Sequence, residues 1–160
     1  MKTPVGKSGR RETGSRVFGI DAVNEFDALT DDIYDYCEMM NIGVDTLVHE
    51  SGPSQIEINL NHGDPLALAD QAFMFKRAVR QVALKHGIHA TFMAKPYQGQ
   101  PGSSMHIHQN LLSMDSGKNL FCDKEGSNSP QFLNYIGGLQ TYLPDAMLLF
   151  CLLYTSPSPR

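Results

Sequence analysis

Two polar clusters in this chain contain residue types that can do chemistry. The first is Glu50-Ser-Gly-Pro-Ser-Gln-Ile-Glu57, which sets two carboxylates seven positions apart. The second spans Lys95–Asn110, Lys-Pro-Tyr-Gln-Gly-Gln-Pro-Gly-Ser-Ser-Met-His-Ile-His-Gln-Asn, with alternating histidines at His106 and His108. On a strand, side chains at i and i+2 share a face, so both imidazoles would enter one pocket. Carboxylate oxygens and imidazole nitrogens together suit Mg²⁺ or Mn²⁺. Each cluster also has a plainer reading. Two glutamates on an exposed sheet face are ordinary solvated acids. A single His106 is more often a satisfied core histidine than a ligand.

The elements around these clusters must bring them together. Val44–Glu50 and Gln55–Leu60 read as strands, and Gly52-Pro53-Ser54 is a turn signal between them. Seven positions along one unbroken strand would send Glu50 and Glu57 to opposite faces. A hairpin allows both to reach one site. Tyr97–Gly102 reads as a Gly/Pro/Gln loop suited to close backbone approach by a ligand. Ala90–Ala94 and Met105–Leu112 read as strands, and Asn119–Cys122 as a returning hairpin arm after the turn Asp115–Lys118.

Three helices frame the strands. Asp27–Asn41 has Ile33, Tyr36, Cys37 and Met40 at helical spacing, with acids in its first turns and Gly43 as its stop. Asp64-Pro65 opens a helix with a capping carboxylate and a proline at the first helical position. Its apolar stripe is Leu68, Ala72, Phe75, Val79, Val82 and Ala83, and Gly87 closes it. Lys76, Arg77, Arg80 and Lys85 read as its solvated face rather than a phosphate site, and His86 and His89 as exposed or capping groups. Ser129–Phe150 is the third, with Phe132, Tyr135, Ile136, Leu139, Tyr142 and Leu143 on its buried side; Gly137-Gly138 and Pro144 weaken or kink it. Mixed helices and hairpins predict an α+β fold, an antiparallel sheet packed by helices.

Composition narrows the function classes. At 160 residues, with 41% hydrophobic and 19% charged side chains, the chain can bury a core and is not of the disordered type. The net charge of −4 gives no support for nucleic-acid binding. Residues 1–16 hold five basic groups and one acid, Glu12; the remainder has a net charge of −8. This start lacks an amphipathic pattern and reads as a solvated Gly/Ser loop rather than a transit peptide. The apolar run Ala146–Tyr154 is far short of the ~20 residues that span a bilayer, so no membrane partner is expected. Cys37, Cys122 and Cys151 are odd in number and lack metal or redox spacing, which suits reduced thiols in the cytoplasm.

Three motifs in order carry a family resemblance: Glu50-x-Gly-Pro-x-Gln-x-Glu57, Phe92-Met-Ala-Lys-Pro96 and Gly102-Ser-Ser-Met-His-Ile-His-Gln109. From about Phe18 to Phe150 the chain resembles the catalytic domain of glutamine synthetases. The segment Ile20-Asp-Ala-Val-Asn-Glu-Phe-Asp27 and the Pro101-Gly102 pair look most like the γ-glutamylpolyamine synthetase branch. The resemblance implies ATP-dependent amide formation from glutamate and either ammonia or an alkyl amine or polyamine, through γ-glutamyl phosphate. It also implies Mg²⁺ or Mn²⁺ and a homo-oligomeric, dodecamer-like parent. By the same resemblance Glu50 and Glu57 fall on ligands of one metal and His106 on a ligand of a second. His108 and Asn110 fall near the nucleotide, and Gly102 where backbone meets glutamate. No catalytic side chain is assigned.

Departures from the family pattern bear on substrate. Pro101 stands where an asparagine is common, Asn110 where a serine is usual, and Ser54 where the turn has a glycine. Pro101 favours a bulkier amine over ammonia, and Asn110 can still hydrogen-bond a nucleotide. The acidic Glu-x-Glu-Phe strand, the small N-terminal domain and the downstream arginines and glutamate of the family have no counterpart here. The expected organisation is therefore a basic loop over 1–16, a partial catalytic domain over 17–150 and a tail outside the family pattern over 151–160. Two other readings compete with an incomplete ligase: an inactive structural or regulatory piece with the same fold, and, last, an unrelated metal hydrolase using the same four side chains.

Overall fold

A computed structural model of the chain describes residues 2–14, 17–104, 106–123, 125–147 and 149. The expected tail over 151–160, with Cys151, lies outside the described residues. The chain divides into two compact units between Ser103 and Ser104.

The first unit is a hairpin packed by helices. Its elements are α1 (Ile20–Asn24), α2 (Asp27–Met39), β1 (Val44–His49), β2 (Ile56–Leu60) and α3 (Pro65–Lys85). Its core joins Ile33 and Cys37 of α2, Ile42, and Phe75 and Val82 of α3. Val44, Ile58 and Leu60 pack on it from the strands, and Phe92 meets Phe75 edge to face with centroids 6.4 Å apart. Of the stripe read on α3, Phe75, Val82 and Ala83 are buried and Leu68, Ala72 and Val79 half-buried, and Ala78, outside the expected stripe, is buried with them. Of its cations, Arg77, Arg80 and Lys85 are exposed as expected, while Lys76 is half-buried. Lys76 and Arg80 lie over the Phe92 ring, and Lys85 and His86 both bond Asp32 of α2.

Both long helices of this unit end by the same device. At α3 the amide of Gly87 bonds the Leu84 carbonyl and the amide of Ile88 bonds the Ala83 carbonyl, with Gly87 at φ 70°. At α2 the equivalent bonds run from Asn41 to Glu38 and from Ile42 to Cys37, with Asn41 at φ 55°. This pair of bonds satisfies carbonyls that a helix end leaves open. Asn41, not the expected Gly43, therefore stops α2, because asparagine tolerates the left-handed conformation. Gly43 serves the sheet instead. A β-carbon there would sit 2.7 Å from the Asn61 side-chain amide, and its carbonyl accepts from the Asn61 amide at 2.8 Å.

The expected antiparallel hairpin is present, with Leu47, Val48 and His49 opposite Ile58, Glu57 and Ile56. Between Val44 and Leu47 the register shifts: Val44 pairs Leu60, yet Leu47 pairs Ile58. One extra residue in β1 is a bulge, and it reverses which face each later side chain takes.

The segment over residues 2–14 is a loop, as read, but it is fastened down. It doubles back through a Val5–Arg11 bridge. Lys7 bonds Asp27 and the Ser8 amide bonds Glu25.

The second unit is built around Phe121, which is buried and packs on Phe132 and Tyr135 of α4 (Pro130–Ala146) at 5.4 and 5.1 Å. Ser129 caps α4 by accepting from the Phe132 amide, while its hydroxyl donates to the Leu120 carbonyl. The far end of the expected buried side is open: Tyr142 is 71% exposed. Phe121 reaches only the first turns of the helix, and the apolar pattern continues past it. Gly137-Gly138 and Pro144 lie inside a helix that runs through them.

Two expected strands, Ala90–Ala94 and Met105–Leu112, do not form among the described residues. The second leaves only a Leu112–Asn119 bridge, where the returning arm was expected. An isolated strand leaves its backbone groups to solvent, and alternation of side chains supplies no ladder partner.

Candidate functional site

The β1–β2 register builds the acidic face. Ile56, Ile58 and Leu60 alternate with Glu57, and Ile58 and Leu60 pack on the core, so Glu57 points away from it. Val48 stands directly opposite Glu57, and opposite residues of a ladder share a face. Glu50 is two positions past Val48, and its amide donates to the Gln55 carbonyl at 2.8 Å. Glu50, Gln55 and Glu57 therefore lie on one sheet face, opposite the core. Without the bulge Glu50 would take the parity of Val44 and turn inward. Both carboxylates are half-buried, and neither has an ion pair among the described residues.

Gln55 joins a second part of the site to this face. Its Oε1 accepts from the Gly52 amide at 2.9 Å, which closes the turn. Its Nε2 donates to the Gly102 carbonyl at 3.0 Å. Gly102 is reached because its loop closes on itself, with the Ser103 amide bonded to the Ala94 carbonyl at 2.8 Å. A β-carbon on Gly102 would lie 2.5 Å from that carbonyl oxygen, so only glycine fits. The expected glutamate-contacting glycine is thus hydrogen-bonded to the turn between the two expected metal ligands.

His106, His108 and Asn110 belong to the second unit and are exposed. Nε2 of His106 lies 3.2 Å from the Ser104 hydroxyl. The Asn110 side-chain oxygen accepts from the Asn119 amide group at 3.1 Å, tying it to the returning arm. Next to it, Gln109 accepts from the Tyr135 hydroxyl of α4. Among the described residues no three His, Cys, Asp or Glu side chains group closely enough to hold a metal ion. What the hairpin brings together is a pair of hard oxygen donors.

The glutamine synthetase catalytic-domain model matches residues 1–156, a span that includes both polar clusters. The chain belongs to the glutamine synthetase family. Among its relatives, γ-glutamylputrescine synthetase PuuA of Escherichia coli K12 is 41% identical over 140 residues, covering 87% of this chain and 29% of that protein. A glutamine synthetase of Pyrococcus horikoshii is 41% identical over 108 residues, 68% of this chain and 24% of its own length. The solved GmaS/ADP complex superposes with a TM-score of 0.76 at 31% identity, over 88% of this chain and 34% of that one. The two curated relatives are, by name, a γ-glutamylputrescine synthetase and a glutamine synthetase. The chain spans less than a third of the curated relatives it matches.

Two residues of this glutamine synthetase catalytic segment were not singled out in its sequence. His49 is 2% exposed, with both ring nitrogens buried and lacking a hydrogen-bond partner among the described residues. Its Nε2 lies 3.7 Å from a Glu12 carboxylate oxygen. The available signals were that His49 directly precedes Glu50, and that Glu12 is the single acid in a basic segment. Neither signal names the other residue as its neighbour.

Proposed function

We propose that this chain supplies part of the active site of an ATP-dependent γ-glutamyl–amine ligase, working within a longer protein. The observation that supports this best is the shared face of Glu50 and Glu57, with the Gly102 backbone bonded to the turn between them. Two carboxylates on one face repel each other and present hard oxygen donors, which suits Mg²⁺ or Mn²⁺ rather than a soft metal. A bound divalent cation would neutralise the charge of phosphate and carboxylate groups.

The chain's own residues orient the reactants. Gly102, which lacks a side chain, lets its loop close on the Ala94 carbonyl, and the closed loop would present backbone to the glutamate substrate. Gln55 holds that loop against the hairpin, so the glutamate position and the acidic face stay in a fixed relation. By the family resemblance, His106 would supply an imidazole donor to a second cation, and His108 and Asn110 would contact the nucleotide. A carboxylate does not react with an amine in water, because an oxide is a poor leaving group. Transfer of the terminal phosphoryl group of ATP to the γ-carboxylate converts that oxygen into phosphate, which the amine then displaces. Pro101 offers no side-chain amide beside the glutamate loop, and an alkyl amine such as putrescine is the favoured acceptor. Cys37 and Cys122 are free among the described residues, which suits a cytoplasmic setting, and no described helix is long and apolar enough to cross a membrane. The domain division into 1–16, 17–150 and 151–160 stands as part of this proposal.

Manganese titration followed by NMR tests the acidic face. Paramagnetic broadening should centre on the amides of Glu50 and Glu57 and disappear in the Glu50→Gln/Glu57→Gln double variant. Broadening spread evenly over the surface acids would reject the site.

A further inference from the structure

Glu12 is the polar hub beside the turn that separates Glu50 from Glu57. One carboxylate oxygen accepts from both the amide and the hydroxyl of Ser54, the latter at 3.0 Å. The other accepts from the Gly14 amide at 2.6 Å and faces His49 at 3.7 Å. The Glu12 side chain is 11% exposed, so these bonds form largely out of water, where charge-assisted hydrogen bonds are strong. Ser54 needs such help. Its φ is 54°, a left-handed conformation that a β-carbon disfavours. Gly14 brings the segment close enough to supply it: a β-carbon there would lie 2.8 Å from the Pro53 nitrogen. Glu12 is itself held by its amide bond to the Pro4 carbonyl at 3.2 Å and by the adjoining Val5–Arg11 bridge.

We propose that Glu12 is a positioning residue for the Glu50–Glu57 face, holding Ser54 left-handed so that the turn sets Glu50 opposite Gln55. This rests on the reading of that face as a cation site. The turn determines the register beyond it, and a slip of one residue would send Glu50 to the other face of the sheet. Two weak points meet at Ser54: a strained backbone, and a connection whose own bonds all run through Gln55, whose amide donates to the Gly52 carbonyl at 3.1 Å and whose side-chain oxygen accepts from the Gly52 amide at 2.9 Å. Glu12 secures both from outside the hairpin. The segment over 2–14 is then a working part of the site and not only a covering.

The test uses the ¹⁵N-labelled full chain, with Mn²⁺ as the only added ligand and two readouts in every variant. Amide hydrogen exchange at Glu50 reports the turn, and Mn²⁺ broadening at Glu50 and Glu57 reports the face. Glu12→Ala should speed Glu50 exchange about tenfold relative to the α3 core amides, the equivalent of one charge-assisted hydrogen bond. It should weaken the broadening in parallel. Glu12→Gln, which keeps an acceptor oxygen, should fall between. Ser54→Gly added to Glu12→Ala should restore both readouts, because glycine adopts positive φ unaided. The proposal fails if Glu12→Ala leaves both readouts unchanged, if it speeds all core amides equally, or if Ser54→Gly gives no rescue. If the unaltered chain shows no Mn²⁺ broadening at this face, the cation reading falls. Glu50 exchange still decides whether Glu12 holds the turn.

Discussion

Replacing Glu57 with glutamine should make the metal-free chain more stable and its face poorer at holding Mn²⁺. The register sets Val48 opposite Glu57, with Glu50 one diagonal step away on the same face. Diagonal neighbours of a ladder lie ~7–8 Å apart. Two unit charges at ~7 Å repel by about 0.6 kcal/mol in water and about 2.4 kcal/mol at an effective dielectric of ~20. Both groups are half-buried, which puts them between these limits. Screening at physiological salt, with a Debye length of ~8 Å, removes roughly half. The relief expected from Glu57→Gln is therefore about 0.3–1 kcal/mol, or a rise of ~1–4 °C in Tm for a chain of this size. Glutamine keeps the shape of the side chain, so packing should not confuse the result. Circular-dichroism melts in chelator, at low salt and near 1 M salt, measure it, and the gain should shrink at high salt. Saturating Mn²⁺ should then reverse the order, because a ligand stabilises the form that binds it better. A metal-free Glu57→Gln chain that melts below the unaltered one, or a gain unaffected by salt, would refute the like-charge reasoning. Unchanged Mn²⁺ broadening would refute the ligand assignment.

Other consequences follow from particular contacts. Asp64→Ala should lower stability by about 1 kcal/mol, because the carboxylate accepts from the Leu66 and Ala67 amides at the start of α3; denaturant melts measure this. Val82→Ala should cost about 2 kcal/mol by the same assay, since Val82 is 2% exposed within the core. Hydrogen bonds from Lys85 and then His86 hold the Asp32 carboxyl below its usual range. Its contribution is therefore present above the unfolded carboxylate pKa of ~3.9 and is lost as pH falls through the lower folded value. Asp32→Asn should accordingly be less stable than the unaltered chain near neutral pH, with the gap closing in acid; urea melts at pH 7 and pH 2.5 compare them. A longer natural protein containing this segment should show a higher kcat/KM for putrescine than for ammonia, since each buried methylene is worth up to ~0.8 kcal/mol. Phosphate-release kinetics with both acceptors decide that point.

Local chemistry was largely readable in the sequence. Asp64-Pro65 announced the start of α3 and Gly87 its end, because capping and left-handed stops depend on a few adjacent residues. Helical spacing likewise marked the buried face of α3. The Gly52-Pro53-Ser54 turn and its flanking apolar residues announced the hairpin, and three ordered motifs announced the glutamine synthetase family. Tertiary structure decided what depends on partners. The bulge between Val44 and Leu47 turned Glu50 away from the core, and nothing in that stretch advertises an extra residue. The alternation through His106 and His108 suggested a strand, but a strand also needs a ladder partner, which alternation does not provide. The apolar stripe of α4 continued to Tyr142 although its packing partner Phe121 stops at the first turns. Glu12, 42 positions from Ser54, could be matched to it only in space. Short-range rules act through the backbone between neighbours, whereas register, burial and long-range hydrogen bonds are fixed by which surfaces the folded chain brings into contact.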